Sequence, residues 1–135
     1  IVPRIHPCRD SFAGMALVLE LMASTGQSIS SLRSAIPEFS VVRKKLNVRP
    51  EQAPGLLRGL RRHYAGQRMS FLDGIFVDMD DAWVHARRSN TEPVIRITAE
   101  AASPERANGL AEEALTFLIN AASGSDGQAT LGRGT

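Results

Sequence analysis

The spacing of apolar residues changes period along this chain, from helical near the start to alternating in the middle and helical again towards the end. Asp10 is placed to cap a helix over residues 11 to 24, because its carboxylate accepts from the free N–H groups of a first turn, and Gly26 supplies a stop. Phe12, Met15, Ala16, Leu19 and Met22 form one stripe at helical spacing, while Leu17, Val18 and Leu21 fill the flank. A helix apolar on nearly every side is normally buried all round. The expectation is therefore that this helix lacks its packing partner, and that the fragment dimerises through residues 10 to 24 or leaves that face uncovered.

Ser28 or Ser30 can cap a short helical turn before Pro37, within a stretch that otherwise reads as a linker. Residues 39 to 48 alternate as a strand despite the consecutive bases Arg43, Lys44 and Lys45. Pro50 or Pro54 opens a helix to about residue 65, with Leu56, Leu57, Leu60 and Tyr64 as its apolar stripe. The period then falls to two, with turn signals at Asp73-Gly74 and Asp80-Asp81, giving strands over 68–72, 75–79, 83–88 and 94–101. Ser103-Pro104-Glu105 starts a last helix, apolar at Ala107, Leu110, Ala111, Ala114, Phe117, Leu118 and Ala121. Residues 122 to 135 are polar and read as a disordered tail. Consecutive hairpin strands with helices on one face imply an α+β fold with a mainly antiparallel sheet of four to five strands. The expected division is a helix of a preceding domain over 1–27, a linker over 28–36, and one domain over 37–121.

Composition adds exclusions. The chain of 135 residues is 43% hydrophobic and 22% charged, an ordinary globular balance. Its longest run free of polar residues, 12 to 19, is far too short to span a bilayer. The single Cys8 cannot form a disulfide within the chain, which fits a reducing cytoplasm, and without an adjacent base it reads as an inert thiol. A net charge of +2 gives no footprint for nucleic acid, and Arg58, Arg61, Arg62, His63 and Arg68 read as a solvated helix face. Asp78, Asp80 and Asp81 mimic a metal cluster, but alternation and the turn disperse them. The chain opens at Ile1, not Met, which suggests a piece of something longer.

The candidate chemistry lies in Arg87-Arg88-Ser89-Asn90-Thr91-Glu92-Pro93. A phosphate dianion suits a bidentate guanidinium, hydroxyl donors and converging backbone N–H groups. Arg87 or Arg88, with Ser89 and Thr91, supplies that set; Asn90 tolerates tight-turn geometry, and Pro93 fixes where the next strand begins. The two arginines point to opposite faces, so only one can serve a given ligand. From composition alone, a plain solvated hairpin loop explains the same residues.

Arg87-x-Ser89-Asn90-Thr91-Glu92-Pro93, followed by Val94-Ile95-Arg96-Ile97 and Ala99-Glu100-Ala101, resembles the C-terminal phosphate loop of the phosphoglucomutase/phosphomannomutase family, the α-D-phosphohexomutases. Asp73-Gly74-Ile75-x-Val77-Asp78-x-Asp80-Asp81-x-Trp83 is similar to the family's approach to that loop, and Arg9-Asp10-Ser11 through Glu20 to the helix closing its third domain. The resemblance implies part of a four-domain, magnesium-dependent cytoplasmic isomerase that moves phosphate between positions 1 and 6 of a hexose through a phosphoserine. It places Arg87, Ser89, Asn90 and Thr91 on the phosphate that is not being transferred, with the hexose phosphate and the remaining domains as partners. Arg88 falls on a variable position. Arg96 matches a recurrent Arg of unassigned role, and its alternation shows only that it faces away from the core. Cys8 stands where relatives often have Gly. The phosphoserine, metal and sugar-selecting loops are not in this sequence, so the resemblance implies no catalytic or metal-binding residue here and no transfer by this piece alone. Asn90 favours glucose or mannose phosphates over the glucosamine phosphate branch, where Gly is frequent. The alternatives are that branch, or a non-catalytic phosphate- or partner-binding module with no enzymatic parent.

Overall fold

The computed structural model describes residues 1 to 4 and 7 to 127. They fall into two compact units, divided between Glu38 and Phe39. The first holds α1, Ser11–Thr25, and α2, Ile29–Ser34. Asp10 caps α1 as its chemistry demands, its Oδ1 accepting from Phe12 N at 2.9 Å and Ala13 N at 3.0 Å. Gly26 ends the helix in the left-handed region at φ +67°. No residue of α1 is buried, and Phe12 is 81% exposed. The stretch read as a linker contains the whole of α2, because the Ser28 hydroxyl accepts from Ser31 N and gives a short helix its start.

The second unit carries β1 (Ser40–Asn47), α3 (Ala53–His63), β2 (Arg68–Ser70), β3 (Ile75–Asp78), β4 (Ala82–Arg88), β5 (Val94–Ala101) and α4 (Pro104–Gly127). The strands form one antiparallel sheet in the order β1-β5-β4-β3-β2, so the chain lays β2 to β5 as a meander and returns β5 beside β1. This is the α+β architecture expected from the change of period.

Alternation gives the sheet two unlike faces. Ile75, Val77, Val84, Ala86, Ile95, Ile97 and Ala99 point to the helices and are almost completely buried, together with Leu56 and Leu60 of α3 and Leu110, Ala114 and Leu118 of α4. Small alanines on the strands and on α4 let helix and sheet approach closely, and Leu60 and Leu118 fill the space between. The Ser103 hydroxyl starts α4 by accepting from Arg106 N, and Pro104 occupies the first turn, where its missing N–H costs nothing. That helix does not end near residue 121 as expected. Ala121 and Ala122 still pack on the core, which draws the helix on to Gly127. Residues 128 to 135 of the expected tail lie outside the described residues.

Candidate functional site

The other face of the sheet is not covered by α3 or α4. Registers place Lys45 of β1 directly opposite Arg96 of β5, and Arg96 opposite Arg87 of β4. One step along the strands, Arg43 lies opposite Thr98, and Thr98 opposite His85. These residues line a cavity of about 530 Å³, as do Glu92 and, in the strands, Lys44 and Ile97. Cross-strand neighbours sit ~4.5–5.5 Å apart, and like charges facing each other there destabilise a sheet. Carboxylates beside Arg87 and Arg96 offset part of that repulsion, and what remains of it favours a bound anion.

The loop between β4 and β5 closes the end of this row. Ser89 N donates to Val94 O at 2.9 Å, and Val94 N to Glu92 O at 2.8 Å. Ser89 and Thr91 bring their hydroxyl oxygens to 3.5 Å, and Thr91 N reaches Ser89 Oγ at the same distance. Ser89 is buried, whereas Asn90 and Thr91 are exposed. Two hydroxyls and a loop amide thus cluster in the loop that follows Arg87, groups that can donate to an oxyanion. Arg88 lies opposite Ile95, on the helix side of the sheet, and is not part of the cavity.

Arg87 is braced from outside the loop. Asp73 Oδ2 is 3.6 Å from its Nε, and the Asp73 carbonyl is 2.6 Å from His85 Nε2, which fixes the 73–74 turn against β4. Gly74 makes that approach possible: it sits at φ +79°, and a Cβ there would meet Ala86 O and lie 2.7 Å from Arg87 Cβ. With Nε held by Asp73, the terminal guanidinium nitrogens are left for a ligand. Arg96 is held by Glu92 at 3.0 Å. Arg43 and Lys45 have no ion-pair partner among the described residues, whereas Lys44 turns to the helix side and meets Glu112 at 2.6 Å.

Of the residues singled out from sequence, the structure gathers Arg87, Ser89, Asn90 and Thr91 at one end of the sheet. Arg43, Lys45, His85 and Arg96 were not singled out as ligands. Their signal is the run of bases in β1, which becomes readable only once β1 is known to lie beside β5.

The groups with shifted proton affinity are elsewhere. Hydrogen bonding to Arg106 is the main cause holding Asp81 below the usual carboxylate range. Burial first, and then the nearby Glu113 charge, pushes the Tyr64 phenol far up. Asp78 and Asp80 both pair with Arg68, at 3.3 and 3.5 Å, and no group of three or more His, Cys, Asp or Glu among the described residues is placed to hold a metal. The described residues do not fit a magnesium site.

Residues 39–116 match the family model for the phosphoglucomutase/phosphomannomutase C-terminal domain. The chain belongs to the phosphoglucomutase/phosphomannomutase family. It is 38% identical over 115 residues to a probable phosphoglucosamine mutase of Methanopyrus kandleri, covering 84% of this chain and 25% of that protein. It is 30% identical over 117 residues to a phosphoglucomutase/phosphomannomutase of Thermococcus kodakarensis, covering 86% and 26%. A crystal structure of a family member from Burkholderia thailandensis is similar at 26% identity with a TM-score of 0.53, over 70% of this chain and 20% of the other. The chain spans about a quarter of the length of these curated relatives. Arg87 and the 89–92 loop lie inside the segment matched by the family model.

Proposed function

We propose that this chain is the phosphate-anchoring domain of a cytoplasmic phosphohexose mutase, an intramolecular phosphotransferase interconverting hexose 1-phosphate and 6-phosphate. In this reading the domain holds the phosphoryl group that is not being transferred, and residues outside the chain supply the phosphoserine chemistry and any magnesium. The supporting observation is that Arg87 lines a cation-rich cavity and is followed directly by the loop carrying the Ser89 and Thr91 hydroxyls, within the stretch matched by the family model. Arg87 anchors the phosphoryl oxygens through its terminal nitrogens, Ser89 and Thr91 donate hydroxyl hydrogens, and Asn90 shapes the turn. No helix among the described residues is long and apolar enough to cross a membrane.

For the sugar, two observations pull apart. The name carried by the Methanopyrus relative favours glucosamine phosphate, and Asn90 favours glucose or mannose phosphate. Turnover of the three sugar phosphates by the protein that carries this domain decides between them.

Binding is tested directly by titrating this chain with glucosamine 6-phosphate and glucose 6-phosphate. The isolated chain lacks the rest of the site, so affinity no better than millimolar, ~4 kcal/mol, is expected. Arg87→Ala costs about 1.5–3 kcal/mol of that interaction, the usual worth of a hydrogen bond to a charged group. Arg88→Ala leaves binding unchanged. Equal losses for the two variants, or a larger loss at Arg88, overturn the assignment.

A further inference from the structure

A single phosphoryl group in the loop leaves much of the open face unexplained. The cavity, at about 530 Å³, has the size of a site for a ligand larger than one phosphate. Its cations also extend past the loop. Arg87 and Arg96 lie next to it and each is held by a carboxylate, Asp73 and Glu92. Lys45 continues the same row one strand further, and Arg43 flanks it across from Thr98. Neither of those two cations has an ion-pair partner among the described residues, and Glu92 is the one carboxylate lining the cavity.

The register gives this surplus a shape. The row Arg87, Arg96, Lys45 runs perpendicular to the strands, with one positive charge per strand spacing. A diphosphate centred over Arg96 would reach towards Arg87 with the oxygens of one phosphoryl group and towards Lys45 with those of the other. The hydroxyl of Thr98 and the side chains of Arg43 and His85 stand along one flank. Charge repulsion among facing cations is unfavourable without a ligand. Asp73 and Glu92 offset part of it at Arg87 and Arg96, and an anion reaching Lys45 as well offsets the rest.

We propose that the open sheet face takes a diphosphate, with Lys45 and Arg43 forming a second anion subsite beyond the phosphate loop. The inference rests on the reading of Arg87 and the loop as a phosphate anchor, and it adds a ligand class, diphosphate-bearing anions, that would compete with a sugar phosphate for Arg87. Such a ligand would inhibit by occupying the anchor.

The test titrates this chain with inorganic phosphate, inorganic pyrophosphate and a nucleoside diphosphate at constant ionic strength, following the amide signals of Thr98 and Ser89. Pyrophosphate is expected to bind at least tenfold more tightly than phosphate. Lys45→Ala and Arg43→Ala are expected to remove most of that advantage while leaving phosphate affinity within twofold. A nucleoside diphosphate equal to pyrophosphate assigns recognition to the diphosphate alone, and one that binds more tightly adds contacts to the nucleoside. Phosphate and pyrophosphate binding equally, or variants at Arg43 and Lys45 without effect on their ratio, overturn the second subsite and leave the loop anchor standing. If no phosphate binds and Arg87→Ala changes nothing, the anchor itself fails, and the subsite with it.

Discussion

The two faces of the five-stranded sheet are built from the same strands, residue by alternate residue, yet they answer to different demands. Towards α3 and α4 the side chains are small or branched and apolar, and each contributes to stability by leaving water. Towards the open side Arg87, Arg96 and Lys45 face one another in register, an arrangement that works against folding and that Asp73 and Glu92 offset only in part. The apolar face therefore stabilises the sheet on which the unfavourable face is displayed, and damage to either should show up in different measurements.

The largest effect is expected on the apolar face. Leu60 is almost completely buried, so Leu60→Ala should cost about 2–5 kcal/mol in urea or thermal unfolding. Phosphate affinity of the molecules that remain folded should be unaltered, and a parallel loss of affinity would show that the faces are not separable.

Gly74→Ala attacks the join between them. The positive φ and the contact with β4 at Ala86 and Arg87 leave no room for a Cβ, so a cost of about 1–3 kcal/mol is expected. Because the 73–74 turn braces Arg87, phosphate binding should weaken as well, in contrast to the leucine variant. Denaturation and titration of the one variant check both halves.

On the open face the sign should reverse. Lys45→Gln removes one of three facing cations and should raise stability by about 0.2–1 kcal/mol at low salt, with the gain fading as salt screens the repulsion. A loss of stability at low salt would mean the row is not repulsive. The smallest effect belongs to Asp81, an exposed residue. Its proton affinity is lowered by Arg106, so its contribution is present above the unfolded carboxylate range and disappears as pH falls through the lowered folded value. Asp81→Asn should therefore differ slightly from the parent near neutral pH and converge with it in strong acid, followed by unfolding midpoints.

The apolar face was legible in the sequence because its signal is local. Alternation at Ile75 to Val77 and Ile95 to Ala99, and the helical stripe from Ala107 to Leu118, each carry their own period. The loop end of the candidate site was legible for a similar reason: Arg87 to Thr91 are contiguous, and strand parity separates Arg87 from Arg88. The rest of the cavity was not. Lys45 and Arg96 are far apart in sequence, and only the return of β5 beside β1 makes them neighbours. Nor did local pattern give the brace on Arg87, since Asp73 and Gly74 read simply as a turn. The end of α4 was missed because polarity after Ala122 signals exposure, while a helix already nucleated continues at little cost.

One feature of β1 constrains how this sheet can vary. Its bases Arg43, Lys44 and Lys45 are consecutive, so a shift of one residue would still present a cation to each face. Charge alone cannot tell the right frame from the wrong one. Val42 and Leu46 can, because they pack on the helix side, and a slip would carry them into the cavity and drive Arg43 and Lys45 against the helices. In lineages of this domain, β1 should accept exchanges among basic residues freely and reject the insertion or loss of a single residue.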